Sequence, residues 1–92
     1  MLRITCAPIV LDRLVQAVRD RRYGAVVTFE GTVRVRSDDN RQVSELWYEA
    51  YEKLVLAQME EIVAQTRDSF GDCAIAIVHR TGTIAPGETS VA

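Results

Sequence analysis

The chain has 92 residues, of which 48% are hydrophobic and 26% are charged, and its formal net charge is −2. The length fits one small domain rather than two, and the composition is that of an ordinary soluble globular domain. The charge excludes binding of a polyanion through bulk attraction, so any affinity for phosphate would have to come from a local cluster.

The first elements are a short strand and a helix. Apolar and polar residues alternate over 2–6, which predicts a strand, and Pro8 suits the start of a helix. The apolar residues that follow recur with helical spacing and form one face: Leu11, Leu14, Val15 and Val18. We expect three arginines at the C-terminal end of this helix, where cations complement the helix dipole: Arg19, Arg21 and Arg22. Gly24 ends the segment.

A hairpin is expected in the middle of the chain. Residues 25–35 are rich in Val, Thr and Phe and predict a long strand. Gly31 inside it indicates a bulge or a close approach of another group to the backbone. Residues 37–42 are a polar loop, and 43–50 alternate as the next strand, with Glu49 on one of its faces.

The last third of the chain predicts a helix and two strands. Residues 52–70 form the helix, which ends at Gly71, and its buried stripe should consist of Val55, Met59, Ile62, Val63 and Thr66. Residues 73–78 are almost wholly apolar and predict a strand buried on both faces. Residues 89–92 look like the start of a further strand. The order β-α-β-β-α-β-β fits an α+β domain with both helices on one side of a mostly antiparallel sheet.

The C-terminal residues carry no turn or cap. Either the last strand is short and lies at an edge, or the chain continues in the intact protein, and we expect the second. The chain would then be one incomplete domain over residues 1–92. An unpaired strand at that end would favour aggregation.

Three arginines close in sequence are the clearest candidates for binding chemistry. Arg34, Arg36 and Arg41 could form a small-anion site, because guanidinium groups pair with phosphate or carboxylate through two hydrogen bonds. Alternatively they belong to a solvated loop in which Asp38 and Asp39 balance their charge. The spacing alone favours the second interpretation.

Other reactive residues give weaker signals. His79 could be an acid–base group, although hydrogen bonding to the neighbouring backbone is favoured, and Glu49 could pair with one of the arginines. Lys53 is the only lysine and lies early in a helix. No phosphate-binding glycine motif or metal-ligand spacing is present, so no metal is expected. Cys6 and Cys73 are expected to be reduced thiols, and a single disulfide between them is the less favoured alternative.

Targeting signals are also missing from the pattern. The N-terminus lacks the features of a signal peptide, and no apolar run approaches the ~20 residues needed to cross a bilayer. The expected compartment is the cytoplasm.

Four separated motifs resemble one known family in order and spacing. They are GAVVTFEGTVR at 24–34, YEAY at 48–51, HRTG at 79–82 and PGE at 86–88. They are similar to those of the molybdopterin synthase large (catalytic) subunit family, the MoaE-like proteins. The resemblance implies the α/β-hammerhead fold of that family.

The resemblance also implies an activity and partners. Enzymes of this family transfer sulfur from a thiocarboxylated, ubiquitin-like small subunit to cyclic pyranopterin monophosphate, which gives molybdopterin. No metal or redox cofactor is implied. The large subunits form a homodimer within a heterotetramer, with one small subunit at each end. Neither nucleic acid nor a membrane is an implied partner.

The family's site residues carry over only in part. Its substrate-binding positions fall on Phe29, Thr32, Val33 and Arg34. Among these, Arg34 matches the arginine that helps to bind the anionic substrate. His79-Arg80 matches a pair that we interpret as mainly structural. The catalytic residues are unknown here, because the family's lysines and second His-Arg pair would lie beyond Ala92. We therefore expect residues 1–92 alone to be inactive.

Two other hypotheses stay open. The chain could be a non-catalytic module that retains dimerisation or binding of the small subunit. It could also be an unrelated phosphate-binding α+β domain of the acylphosphatase type, against which the YEAY and HRTG motifs argue. A reading frame that continues past Ala92 would favour the enzyme subunit over the module.

Overall fold

A computed structural model describes residues 1–35, 46–48 and 52–92 of the chain. Eight elements follow one another in it, namely β1 (Leu2–Thr5), α1 (Leu11–Val18), β2 (Gly31–Thr32), β3 (Leu46–Tyr48), α2 (Glu52–Phe70), β4 (Ile77–Arg80), β5 (Gly82–Ile84) and β6 (Thr89–Val91). Strand β5 is additional to the predicted order. In these ranges, neither helix is long and apolar enough to cross a membrane.

The strands form a four-stranded sheet and a two-stranded sheet. The larger sheet has the order β1-β4-β6-β2, and the smaller one pairs β3 with β5. Strand β6 runs antiparallel to both of its neighbours, whereas β1 and β4 are parallel. Helix α2 packs against β1. The prediction of an α+β domain with a mostly antiparallel sheet is confirmed, with β1–β4 as the parallel exception.

Helix α1 spans the predicted apolar face but is shorter than the segment predicted between Pro8 and Gly24. It begins at Leu11, where the Arg13 N–H donates to the Val10 carbonyl at 3.1 Å, and Val10 supplies no side-chain cap. It ends at Val18 because Arg19 is already extended, with ψ at 131°. Of the three arginines predicted at its C-terminal end, Arg19 is the C-cap residue, whereas Arg21 and Arg22 lie beyond the helix, so the prediction is wrong for these two. Just beyond the helix, the Asp20 carboxylate accepts the Arg22 N–H at 2.9 Å, a local bond that favours a turn over another helical turn.

Two predicted strands are also shorter than expected. In the segment 25–35 only Gly31 and Thr32 pair as a strand, and 73–76 lie outside β4. Strand β6 ends at Val91, opposite Gly31, which leaves 25–30 and 73–76 beyond its ladder. The expectation that 73–78 would be buried on both faces is wrong at Ala74, which is exposed.

The predicted hairpin is wrong for the strands that the structure describes. Strand β2 pairs with β6, and β3 pairs with β5, so the two do not share a ladder. The reason is that each finds its partner much later in the chain. The predicted loop 37–42 lies outside the described residues, as do Arg36, Arg41 and Glu49.

The core is small and draws on both halves of the chain. Among the residues whose burial the structure describes, its buried apolar side chains are Leu14, Val33, Met59, Val78 and Ile84. Of the stripe predicted for α2, Met59 is buried, but Ile62 keeps 54% of its surface exposed. The prediction for Ile62 is therefore wrong. The strand predicted at 89–92 is present as β6, and it lies between two neighbours rather than at an edge.

Candidate functional site

The stretch that contains β2 is anchored by backbone bonds to a turn late in the chain. The Val33 N–H donates to the Glu88 carbonyl at 3.0 Å, and the Gly87 N–H donates to the Val33 carbonyl at 2.8 Å. The Val33 side chain is buried, with 3% of its surface exposed. Residues on either side of Val33 are therefore held in a fixed relation to the turn at 85–88.

The turn itself is closed by its own carboxylate. The Glu88 N–H donates to the Ala85 carbonyl at 3.1 Å, and Glu88 Oε1 accepts the Ala85 N–H at 3.1 Å. Gly87 has φ at 86°, in the left-handed region that favours glycine. Pro86 precedes it and restricts the first turn position. The PGE motif is thus a rigid support for Val33.

A buried arginine fixes Glu88 from the other side. Arg80 Nη1 donates to Glu88 Oε2 at 2.8 Å, with 10% of the Arg80 side chain and 43% of the Glu88 side chain exposed. This hydrogen bond, followed by the one from Ala85, holds the pKa of Glu88 below its usual value. The interpretation of Arg80 as a structural residue agrees with this contact.

The other edge of the site is where β2 meets β6. The Ser90 hydroxyl donates to the Gly31 carbonyl at 3.2 Å, and the Thr89 hydroxyl donates to the Glu30 carboxylate. A Cβ at Gly31 would lie 2.8 Å from Val91 Cγ1, and the ladder shifts register between Gly31 and Thr32. The close approach predicted for Gly31 is therefore confirmed, and the register shift marks a bulge or another irregularity beside it.

The predicted substrate-binding residues divide into exposed and buried positions. Phe29 keeps 72% of its surface exposed, and Thr32 and Arg34 are also exposed. Val33 between them is buried and uses both of its backbone groups in the contacts described above. Three of the four side chains are therefore accessible to a ligand, and Val33 anchors the segment that carries them. Substrate contact by each of the four stays a prediction.

Sequence reasoning missed the pairing of Arg80 with Glu88. This ion pair joins the HRTG and PGE motifs, and through the Glu88 backbone it connects both to Val33 in the first motif. The available signal was an arginine and a glutamate on either side of a Pro-Gly turn. His79 lies inside β4 opposite Val91 and is half-buried, and its choice between an acid–base and a structural role stays a prediction.

No metal centre is found within the described ranges, where no three His, Cys, Asp or Glu side chains are grouped to hold an ion. Cys6 and Cys73 are free thiols. The groups that this region offers to a ligand are therefore one guanidinium, one hydroxyl, one aromatic ring and backbone. Such a set can bind and orient an anion with an attached ring system.

Comparisons with known proteins identify the family. The family model described as "MoaE protein" matches residues 4–92. The molybdopterin synthase catalytic subunit of Oryza sativa subsp. indica is 42% identical over 81 residues, which are 88% of this chain and 42% of that protein. The one from Bacillus subtilis is 36% identical over 88 residues, or 96% of this chain and 55% of that protein.

A solved structure agrees with these matches. The crystal structure of molybdopterin synthase from Staphylococcus aureus superposes with a TM-score of 0.88 at 26% identity, covering 96% of this chain and 64% of that chain. The chain thus spans about half the length of the curated relatives it matches. Because the family model covers nearly all of the sequence and the fold agrees, the chain belongs to the MoaE protein family.

Proposed function

We propose that this chain forms part of the large subunit of a molybdopterin synthase. In this role it binds cyclic pyranopterin monophosphate while sulfur is transferred from a thiocarboxylated small subunit, in the biosynthesis of the molybdenum cofactor. The observation that carries the proposal is the family match over residues 4–92. The names of the relatives from Oryza sativa and Bacillus subtilis support it.

The anchored segment around Val33 supports a role in holding the substrate. Arg34 follows a residue fixed by two backbone bonds, so its guanidinium starts from a defined position. A guanidinium binds a phosphate through two parallel hydrogen bonds, which orient the phosphate as well as attract it. We assign the phosphate to Arg34, with Thr32 as a neighbouring polar contact.

Phe29 is the candidate partner of the pterin rings. Its side chain is 72% exposed on the N-terminal flank of β2, whereas Arg34 lies on the C-terminal flank. An aromatic side chain can stack on a planar ring system. The phosphate and the pterin rings would then contact opposite ends of the segment 29–34, which contains Gly31.

The groups that move sulfur and protons are not assigned to this chain. Its only lysine is Lys53, which lies at the exposed start of α2, away from β2 in sequence. In the longer relatives the additional length accommodates further residues, and we place the catalytic lysines there. The ubiquitin-like small subunit and a second large subunit are the proposed partners, as a heterotetramer.

A turnover assay tests the proposal directly. The chain is mixed with thiocarboxylated small subunit and cyclic pyranopterin monophosphate, and molybdopterin is measured by fluorescence after oxidation. Calorimetry with the substrate and with the small subunit accompanies it. We expect binding without product. Product formation would contradict the placement of the catalytic lysines outside these residues.

Two further outcomes separate the competing hypotheses. Binding of the small subunit without binding of the pterin phosphate would favour the non-catalytic module over the substrate-binding subunit. Binding of neither would contradict the proposal, provided that circular dichroism shows the chain to be folded.

A further inference from the structure

The backbone before Arg34 is fixed by the turn at 85–88. Both backbone groups of Val33 bond to this turn, the N–H at 3.0 Å and the carbonyl at 2.8 Å. The Val33 side chain is buried as well, with 3% of its surface exposed. Because consecutive Cα atoms are joined by a rigid peptide unit, the turn also sets where the backbone of Arg34 begins.

The conformation of this turn depends on the Glu88 carboxylate. Glu88 Oε1 accepts the Ala85 N–H at 3.1 Å, and Glu88 Oε2 accepts from Arg80 Nη1 at 2.8 Å. One carboxylate therefore joins the first and last residues of the turn and ties both to strand β4. Without it, the bond inside the turn is the one from the Glu88 N–H to the Ala85 carbonyl.

Arg80 confines the Glu88 carboxylate to this position. Arg80 is a buried cation, with 10% of its side chain exposed. Its Nε is buried and bonds to none of the residues that the structure describes, so Glu88 is the group that compensates the charge. A buried charge that loses its partner is strongly unfavourable. The Glu88 side chain is therefore held where it closes the turn.

Neither member of this pair is suited to contact a phosphate directly. The Glu88 carboxylate carries a charge of the same sign as a phosphate and would repel it. Arg80 is buried, and its charge is compensated by Glu88. The pair can therefore assist the binding of an anion only through the backbone that it holds in place.

We propose that Glu88 is a positioning residue for substrate binding, which holds Arg34 in place for the phosphate through the turn and the backbone of Val33. This inference rests on the proposed function, because the phosphate is assigned to Arg34 there. A guanidinium that makes two parallel hydrogen bonds has to be placed accurately. A group that is already fixed also loses less conformational freedom on binding. Glu88 thus raises the affinity without touching the ligand.

Amide hydrogen exchange measured by NMR tests the structural half of the inference without a ligand. In Glu88→Gln we expect the Val33 amide to exchange at least about tenfold faster relative to the Val78 amide. Val78 is the internal reference, because its N–H bonds to the Ala92 carbonyl, and a general loss of stability would change both amides by the same factor. The control variant Met59→Ala removes a buried side chain from α2 and should leave the ratio unchanged.

Calorimetry with cyclic pyranopterin monophosphate tests the functional half. Glu88→Gln should raise the Kd about tenfold, as expected for residues coupled through one hydrogen-bond network. Arg34→Ala already lacks the positioned group, so adding Glu88→Gln to it should raise the Kd no further. Glu88→Asp keeps a charge opposite Arg80 and should weaken binding less than Glu88→Gln. Circular dichroism checks that each variant is folded at the temperature of the titration.

Three results would overturn the inference. One is an unchanged ratio of Val33 to Val78 exchange in Glu88→Gln. Another is weaker binding in Arg34→Ala but unchanged affinity in Glu88→Gln. The third is an equal loss of affinity when Glu88→Gln is added to the parent chain and to Arg34→Ala. If instead Arg34→Ala itself leaves the affinity unchanged, the assignment of the phosphate is wrong, and the inference falls together with that part of the proposed function.

Discussion

Arg80 precedes strand β5 in the sequence and Glu88 follows it, and a 2.8 Å hydrogen bond joins their charged groups. Arg80 is buried in β4, and Glu88 closes the turn that holds Val33. Through this one contact, two motifs that are distant from β2 in sequence determine where the residues around Val33 lie. The pair therefore links the stability of the fold to the position of the proposed substrate contacts.

Replacing Glu88 with Gln should lower the free energy of unfolding at neutral pH. It should also reduce the loss of that free energy as the pH falls. The variant leaves the buried Arg80 without its charged partner, which is unfavourable. In the parent chain the pKa of Glu88 is lowered by folding from a usual value of 4.5. The contribution of the Glu88 carboxylate to stability is therefore complete above the pKa of Glu88 in the unfolded chain. It is lost as the pH falls through the pKa of Glu88 in the folded chain. Urea unfolding between pH 7 and about pH 3 measures both effects.

The control for this variant is Asp20→Asn. The pKa of Asp20 is also lowered, chiefly by the side-chain hydrogen bond from Arg22, but this pair is on the surface. Solvent screens such a pair, so its removal should change the urea midpoint much less. An equal effect of both variants would contradict a special role for the Arg80–Glu88 contact.

Replacing Gly31 with Ala should destabilise the protein by about 1–3 kcal/mol. The new Cβ would lie 2.8 Å from Val91 Cγ1, and a β-branched side chain has little freedom to move aside. In the double variant with Val91→Ala, the loss should be smaller than the sum of the two single losses. Gly24→Ala is the control, because nothing lies within 4 Å of the added Cβ. Denaturant midpoints measure all four, and strictly additive losses would rule out the clash.

Replacing Ile84 with Ala should cost about 2–5 kcal/mol, and with Val about 0.5–1.5 kcal/mol. Ile84 in β5 has 0% of its surface exposed, so a smaller side chain leaves a cavity. Ile62→Ala on α2 removes the same atoms from a side chain that is 54% exposed. That control should change stability by no more than about 0.5 kcal/mol. Similar losses at both positions would mean that Ile84 is not a core residue.

Replacing Arg34 with Ala should weaken binding of the pterin phosphate by about 1.5–3 kcal/mol, the value of a charged hydrogen bond. This corresponds to a roughly 10- to 150-fold higher Kd in calorimetry. Arg13→Ala, at an exposed position on α1, removes the same charge and should leave the affinity unchanged. Unchanged affinity of the Arg34 variant would remove Arg34 from the proposed site.

Local patterns were enough to predict the elements whose causes are local. The bounds of α2 follow from apolar spacing and Gly71, and the constraint at Gly31 follows from a glycine inside a strand pattern. The strand predicted at 89–92 is present as β6, Thr89–Val91. In contrast, the partners of the described strands β2 and β3 lie far along the chain, so the hairpin was wrong for these two strands, and β5 was missed.

The residues of the candidate site could be predicted only from the family motifs that they match. The family resemblance named Phe29, Thr32, Val33 and Arg34, but periodicity contained no sign that Val33 would be an anchor. Its burial depends on Glu88, which is brought close by the turn at 85–88. The contact of Arg80 with Glu88 is likewise a product of two strands meeting, which composition and spacing do not encode.

The parallel pairing of β1 with β4 has a consequence for how the protein is made. The amino group of Met1 bonds to the Ile75 carbonyl, 74 positions away. Strand β1 therefore cannot pair with β4 until nearly all of this sequence has been synthesised. Closing so long a loop slows folding, and contacts of this kind are typical of slow-folding topologies. During that interval the N-terminal strand is an exposed edge for which chaperones and neighbouring nascent chains compete.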